Sequence, residues 1–361
     1  MGAGRPENRP CPEPARDRPA GSMTRGLAPS PSLAQPGPTL SWSDPTISGQ
    51  PISGLTVRVH DGLPDGVPQL SVLEVIDLFL GLVPRNFYKR MAAVEEEIGR
   101  VTCVVSDGFW GFAGDLAAER GALWVTHWCC CPKALLAHLC TDLLRQSAGP
   151  DGDRARVQDA LDSIPGLSSM RIEDLPEGIV LSDTASSLAL LKPVKKIAEG
   201  LQASGTPFLW SLKEIAWGHL PADFLDYVAS RGLIVPWAPQ PQVLEHSAVG
   251  AFLTHGGWNS VLDGITAGVP MIIKPYLGDQ FLDARMVTDV WNIGVGFEGG
   301  VIKKDEMVNA LNVILGSKRG KTMKEKINEL KSMALQGIKP GGSSTKNLDA
   351  LEKMVASCQH N

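Results

Sequence analysis

Residues 237–280 read WAPQPQVLEHSAVGAFLTHGGWNSVLDGITAGVPMIIKPYLGDQ, and this stretch decides the fold. Its segment 249–254, VGAFLT, is a short apolar run of the kind that makes a buried parallel strand. It stops at His255-Gly256-Gly257, where two glycines allow a sharp turn and a close approach of ligand to backbone. Asn259 and Ser260 suit the N-cap of a helix over 260–267. Gly268 suits the left-handed residue that closes such a helix, and Pro270 blocks its continuation. Residues 271–273, MII, then read as the next buried strand. The spacing predicts a β-α-β unit with its glycines at the strand-to-helix turn.

That unit has a chemical consequence. A helix N-terminus presents free N–H groups and a partial positive charge, both of which favour phosphate. Ligands of open α/β sheets collect at the carboxyl ends of the strands. His255, Gly257, Asn259 and Ser260 are therefore placed to hold a diphosphate without a metal. Trp237 offers a flat face on which a base can stack, and Asp279 and Gln280 follow the next strand, within reach of sugar hydroxyls. Taken singly these features are bland: a Gly-Gly turn is a tight connection, a Trp is core, an Asp-Gln pair is solvated loop. Their combination at this spacing is far more specific.

The block resembles the signature of the plant UDP-dependent family 1 glycosyltransferases, and most closely the flavonoid 3-O-glucosyltransferases. The usual form is WAPQ, LxH, GxFxTHCGWNS, an acidic residue, GVP and DQ. This chain has Trp237-Ala238-Pro239-Gln240, Leu244-Glu245-His246, Thr254-His255, Gly257-Trp258-Asn259-Ser260, Asp263, Gly268-Val269-Pro270 and Asp279-Gln280. Flanking text agrees at Pro207–Leu212 and at Gly341-Gly342-Ser343-Ser344. Two departures stand out. Gly256 replaces the usual Cys, a harmless change in a turn. Asp263 replaces the usual Glu, which shortens a side chain that holds ribose hydroxyls in the family, so weaker nucleotide affinity is expected.

The resemblance implies two Rossmann-like parallel-sheet domains of the GT-B type, facing each other. It implies that Trp237 and Ala238 flank uracil, that Gln240 and Asp263 take the ribose, and that His255, Gly257, Asn259 and Ser260 take the phosphates. Trp258, Asp279 and Gln280 would take the sugar, with Gln at the last position going with glucose. UDP-glucose is then a substrate, and neither a cofactor nor a metal is expected. On the acceptor side, Asp107 follows the apolar run VTCVVS at 101–106. Read from the residues alone it is a helix-capping Asp; the resemblance makes it the carboxylate that orients a catalytic His. Such a His, near neutral pKa, deprotonates the attacking hydroxyl, and a carboxylate on its other nitrogen fixes the tautomer.

The His itself does not appear. In the family it lies after the first strand of the N-terminal domain, and that strand and loop have no counterpart here. His60 belongs to a later strand, and His127 follows another and is a substitute candidate only; His138, His219 and His360 have no motif around them. A second gap falls between residues 180 and 190, where the family carries the first strand of its C-terminal domain. Cys129 stands where some relatives place a sugar-contacting Thr. First strands lie mid-sheet in doubly wound halves, so each half is expected to lack a central strand, with unpaired edges and an opened core. A catalytically impaired relative that at most binds UDP-sugar is therefore the alternative to an active glucosyltransferase. A UDP-sugar epimerase of the same architecture has no supporting carboxylate motif.

Bulk properties narrow the field. At 361 residues with 43% apolar content the chain can bury a large core. Its net charge of −5 argues against nucleic acid. No apolar run reaches membrane-spanning length, and no apolar leader opens the chain, so a cytoplasmic monomer is expected. The seven cysteines, three of them adjacent at 129–131, show no metal-binding spacing and read as free thiols. Residues 1–54 are rich in Pro, Gly, Ser and Arg and read as a disordered extension. The expected organisation is an incomplete acceptor-side domain over 55–186, a UDP-sugar domain over 187–344, and a terminal helix and tail over 345–361. Helices are expected at 71–82, 86–98, 111–120, 133–146, 193–203, 305–315, 321–336 and 345–356. Strands are expected at 55–60, 101–106, 123–126, 208–211 and 233–235.

Overall fold

The structure, a computed structural model, describes residues 72–149, 151–176, 178–180, 193–297 and 302–358, all within one compact unit, Val57–Asn361. The expected extension over 1–54 and strand over 55–60 lie outside the described residues. The N-terminal half runs α1 (Val72–Ile98), β1 (Cys103–Asp107), α2 (Gly111–Glu119), β2 (Leu123–His127), α3 (Pro132–Leu139), α4 (Thr141–Ala148) and α5 (Arg154–Ser163). The C-terminal half opens with α6 (Val194–Ser204), β3 (Phe208–Ser211), α7 (Phe224–Arg231), β4 (Gly232–Val235), α8 (Gln240–Glu245) and β5 (Phe252–Thr254). It continues with α9 (Trp258–Ala267), β6 (Met271–Ile273), α10 (Gln280–Arg285), β7 (Gly294–Gly296), α11 (Lys304–Gly316), α12 (Lys318–Gly337) and α13 (Ser343–Ser357).

Every strand pair is parallel, as helix-crossover connections require. The strands form three pieces: β1-β2, β3-β4, and β5-β6-β7. Within the last, β6 is central and all three of its residues, Met271, Ile272 and Ile273, are fully buried. No described strand bridges β3-β4 to β5-β6-β7. Below the break, Ile197 and Leu201 of α6, Phe224 of α7, Ile272 of β6 and Met307 and Leu311 of α11 still form one core cluster. Parts of the strand faces are uncovered. Val105 of β1 is 66% exposed, and Leu209 of β3 and Leu233 of β4 are 45% and 54% exposed. In an intact doubly wound sheet such residues are covered on both faces.

Three sequence expectations need correction. The two helices expected at 71–82 and 86–98 are one helix, α1, which runs through Pro84. Proline removes one backbone hydrogen bond there, but Val83 is buried and Phe87 packs edge-on against Trp110 and Phe112, so tertiary contacts hold the helix through the defect. The helix expected at 133–146 is two, α3 and α4, parted at Cys140. The N-cap of α9 is Gly257, and Asn259 and Ser260 lie inside its first turn. The closing Gly268 is left-handed as expected, at φ 73°.

Candidate functional site

The turn between β5 and α9 is built around Gly256, whose φ of +84° suits glycine. A Cβ there would also sit 2.8 Å from Ile273 Cγ2, so the position is tighter than a generic turn. Thr254 Oγ1 accepts from the Gly256 N–H at 3.2 Å and fixes the bend. Gly257 leaves space for His255, since a Cβ on it would meet His255 Nε2 at 2.6 Å. No side chain caps α9. Its first-turn N–H groups therefore face outward unpaired by a capping side chain, beside an exposed His255 and an exposed Asn259. The loops around His255 strip part of its hydration and lower its pKa, against the opposing pull of Asp279. A neutral imidazole results, able to donate one hydrogen bond.

Below this turn lies a short polar chain. Gln240 Nε2, at the start of α8, donates to Asp263 Oδ2 at 2.8 Å and to the buried Ser260 Oγ at 3.3 Å. The contact ties α8 to α9, so the residues implied for ribose already hold one another. Trp237 and Ala238 sit in the loop before α8, and the Trp237 indole is 73% exposed, an uncovered flat face. Trp258 is different: it packs half-buried against Trp291 and the core.

After β6 the chain turns through Lys274-Pro275-Tyr276 to Asp279, which caps α10, and Gln280, its first residue. Gln280 Oε1 accepts from the N–H groups of Tyr276 and Leu277 at 2.9 and 3.3 Å. Its Nε2 is the end left to donate outward. At the other end of α10, Arg285 grips the buried Asp174 through two hydrogen bonds, at 2.7 and 3.0 Å, and also pairs with Asp289. Asp174 in turn accepts from the Arg171 N–H. The connecting stretch 171–180 is thereby bound to the helix that presents Asp279 and Gln280.

On the acceptor side, Asp107 ends β1, and its Oδ1 accepts from the Phe109 N–H at 2.9 Å; this is a turn contact and not the helix cap that the bare sequence gives, because the N-cap of α2 is Trp110. Its other oxygen is open to a partner. His127 is its register partner on β2, so the two side chains leave the same face of the strand pair. Sequence reading passed over His138. It stands against Phe109 and Trp128, with ring centroids 5.7 and 5.6 Å away. Burial lowers its pKa, and Asp279 pulls the other way. Sequence reading also passed over Asp283. It follows Asp279 by four residues, so the two share one face of α10, a spacing visible in the sequence.

Residues 177–340 match the family described as UDP-glucoronosyl and UDP-glucosyl transferase. The chain is 35% identical to myricetin 3-O-rhamnosyltransferase UGT77B2 of Crocosmia x crocosmiiflora, over 82% of this chain and 85% of that one. It is 34% identical to anthocyanidin 3-O-glucosyltransferase 2 of Fragaria ananassa, over 83% and 85%. Among solved structures, a UDP-glucose:anthocyanidin 3-O-glucosyltransferase in complex with UDP superposes with a TM-score of 0.73 at 28% identity, over 83% of this chain and 86% of that one. This chain belongs to the UDP-glycosyltransferase family, and its fold is the α/β GT-B type. The first of these alignments runs over 388 positions, more than the 361 residues of the entire chain. The relative therefore has internal stretches with no counterpart here. Among the described residues no helix is long and apolar enough to cross a membrane.

Proposed function

We propose that this chain transfers glucose from UDP-glucose to a hydroxyl of a flavonoid-type small molecule, with inversion and without a metal in the reaction. The observation that carries the reading is the unpaired N-terminus of α9 with His255 at its mouth and the Gln240–Asp263–Ser260 chain beneath it. Trp237 stacks on uracil beside Ala238, and Gln240 and Asp263 take the ribose. His255, Gly257, Asn259 and Ser260 take the diphosphate. The backbone at Trp258, with Asp279 and Gln280, holds the sugar. Preorganised donors at the phosphates stabilise the charge that grows on departing UDP.

The acceptor hydroxyl needs a base, and we assign that role to His127, oriented by the free oxygen of Asp107. Attack opposite the leaving group converts the α-linked donor into a β-glucoside. Relatives named as glucosyl-, galactosyl- and rhamnosyltransferases match almost equally well, at 34%, 34% and 35%. The choice of glucose therefore rests on Gln280. The acceptor-side region is assigned to 55–186, the donor domain to 187–344 and the terminal helix and tail to 345–361, in a cytoplasmic monomer.

The test is direct. Purified chain, UDP-glucose and a flavonol should yield UDP and a flavonol glucoside, read by chromatography. Absence of turnover above the His255→Ala control would sink the reading. Replacing UDP-glucose with UDP-galactose should lower kcat/KM; equal rates would remove Gln280 as the sugar determinant.

A further inference from the structure

The N-terminal and C-terminal halves meet at a cluster of Cys131, Asp279 and Asp283, of which Cys131 and Asp283 are buried and have no part in the transfer reaction. Cys131, fully buried, caps α3 of the N-terminal half, where its sulfur accepts from the Ala134 N–H at 3.3 Å. Asp279 and Asp283 come from α10 of the C-terminal half. One ligand atom from each of the three side chains lies within 4.8 Å of the others. Asp283 is 0% exposed, and neither of its carboxylate oxygens meets an N–H donor or a hydroxyl; its polar neighbours are the Cys131 thiol and the Asp279 carboxyl. A buried carboxylate facing only a weak thiol donor and a second carboxyl is costly, and natural interiors place a proton, a water or an ion against such a group. Burial drives the Asp283 carboxyl up to about 8, with the neighbouring Asp279 adding to the rise. The Cys131 thiol is also pushed up, by burial first and by Asp283 second.

We propose that Cys131, Asp279 and Asp283 form a binding site for a thiophilic divalent cation of the zinc type, which clasps the two halves of the chain together. The donor set fits. One thiolate and two carboxylates suit a borderline-soft ion, which takes sulfur and oxygen ligands in tetrahedral sites. Magnesium and calcium, which prefer oxygen alone, are disfavoured by the sulfur. Coordination supplies the missing partner for both Asp283 oxygens. It also compensates three groups that would repel one another as anions, releasing the thiol and carboxyl protons to solvent. The clasp is placed to matter, because the described strands of the two halves fall into separate pieces and the Arg285–Asp174 pair is the neighbouring ionic tie between the halves. The site shares Asp279 with the proposed sugar contact but needs no turnover, so it would be present in an inactive chain.

Cadmium titration of the full chain, after removal of metal by a chelator, tests it. The readout is the ultraviolet thiolate-to-cadmium charge-transfer band, with zinc as competitor. A saturable band at one cadmium per chain is expected. Asp283→Asn, which keeps the size of the side chain, should weaken binding by at least about tenfold, and Cys131→Ser should abolish the band. Zinc should raise the thermal midpoint of the unmodified chain and leave that of Asp283→Asn unmoved. No band, or a band that survives Cys131→Ser and disappears in Cys129→Ala, would overturn the proposal by placing the ion on an exposed thiol. An undiminished affinity in Asp283→Asn would overturn it as well.

Discussion

The sheet β5-β6-β7 and the strand pair β1-β2 share parallel pairing and the same kind of helical cover, yet they stand in opposite states. Strand β6 is flanked on both sides and every residue in it is fully buried. Among the described residues strand β1 has one strand neighbour, and Val105 at its middle is 66% exposed. The difference lies in neighbours rather than composition, since CVVSD is as apolar at its centre as MII. A central strand lends its apolar face to both sides of a sheet, so losing it uncovers residues that remain in the sequence. The donor-side turn hangs on the closed sheet. The acceptor-side Asp107 hangs on the open pair.

The first way to break that contrast is to damage the closed sheet. Ile272→Ala removes a fully buried side chain that joins β6 to α6, α7 and α11. It should destabilise the chain by about 2–5 kcal/mol, measured as a drop in the urea midpoint at unchanged slope. A loss near zero would mean that β6 is as loosely held as β1.

Next in size is the chemistry that the closed sheet supports. His255→Ala should lower kcat for glucoside formation by about 10²–10³-fold, the scale for one preorganised donor at a developing charge, while leaving the unfolding transition in place. His127→Ala, on the open pair, should lower kcat by about 10²–10⁴-fold if it is the base, and the loss should be larger for an alcohol acceptor than for a more acidic phenol. Equal losses with both acceptors would move the base elsewhere, with His138 the next residue to replace.

The turn itself offers a finer test. Gly256→Ala forces a side chain into a backbone at φ +84° and within 2.8 Å of Ile273 Cγ2. Strain of about 1–3 kcal/mol is expected, with weaker UDP binding by calorimetry. The sequence reading treated this position as indifferent because the family carries Cys there. The backbone angle explains why this chain is less tolerant.

Much of this was legible in the letters, and what was not has a common cause. Helix α9, its closing Gly268, strand β6 and the placing of Asp279 and Gln280 follow from apolar runs and glycine chemistry, which are local. The N-cap was misplaced by two residues because Asn259 and Ser260 are good capping types, while the chain uses Gly257 and leaves the first turn free. Helix α1 was split because Pro84 reads as a breaker, and only the distant Trp110 and Phe112 reveal why it is not. The Cys131–Asp279–Asp283 cluster joins residues about 150 positions apart. The i, i+4 spacing of its two carboxylates was visible, but their fully buried thiol partner was not.

The smallest expected effect is the sharpest probe of the open pair. Val105 sits mid-strand, where an apolar β-branched residue belongs, so a sequence-based argument predicts a substantial loss for Val105→Ser. The structure argues otherwise. With 66% of its surface already in water, Val105 has little apolar area left to lose. Hydroxyl replacement leaves no buried group unpaired, and the change should stay within about ±0.5 kcal/mol, as for surface substitutions. Val104, its neighbour on the opposite face, is 5% exposed and packs against Ala113 and Ala117 of α2. Val104→Ser should therefore lose several times more, since it places a polar group where only methyls surround it. A large loss at both positions would mean that the face bearing Val105 is covered in solution. The two halves would then be equally closed, and the contrast between β1 and β6 would fall.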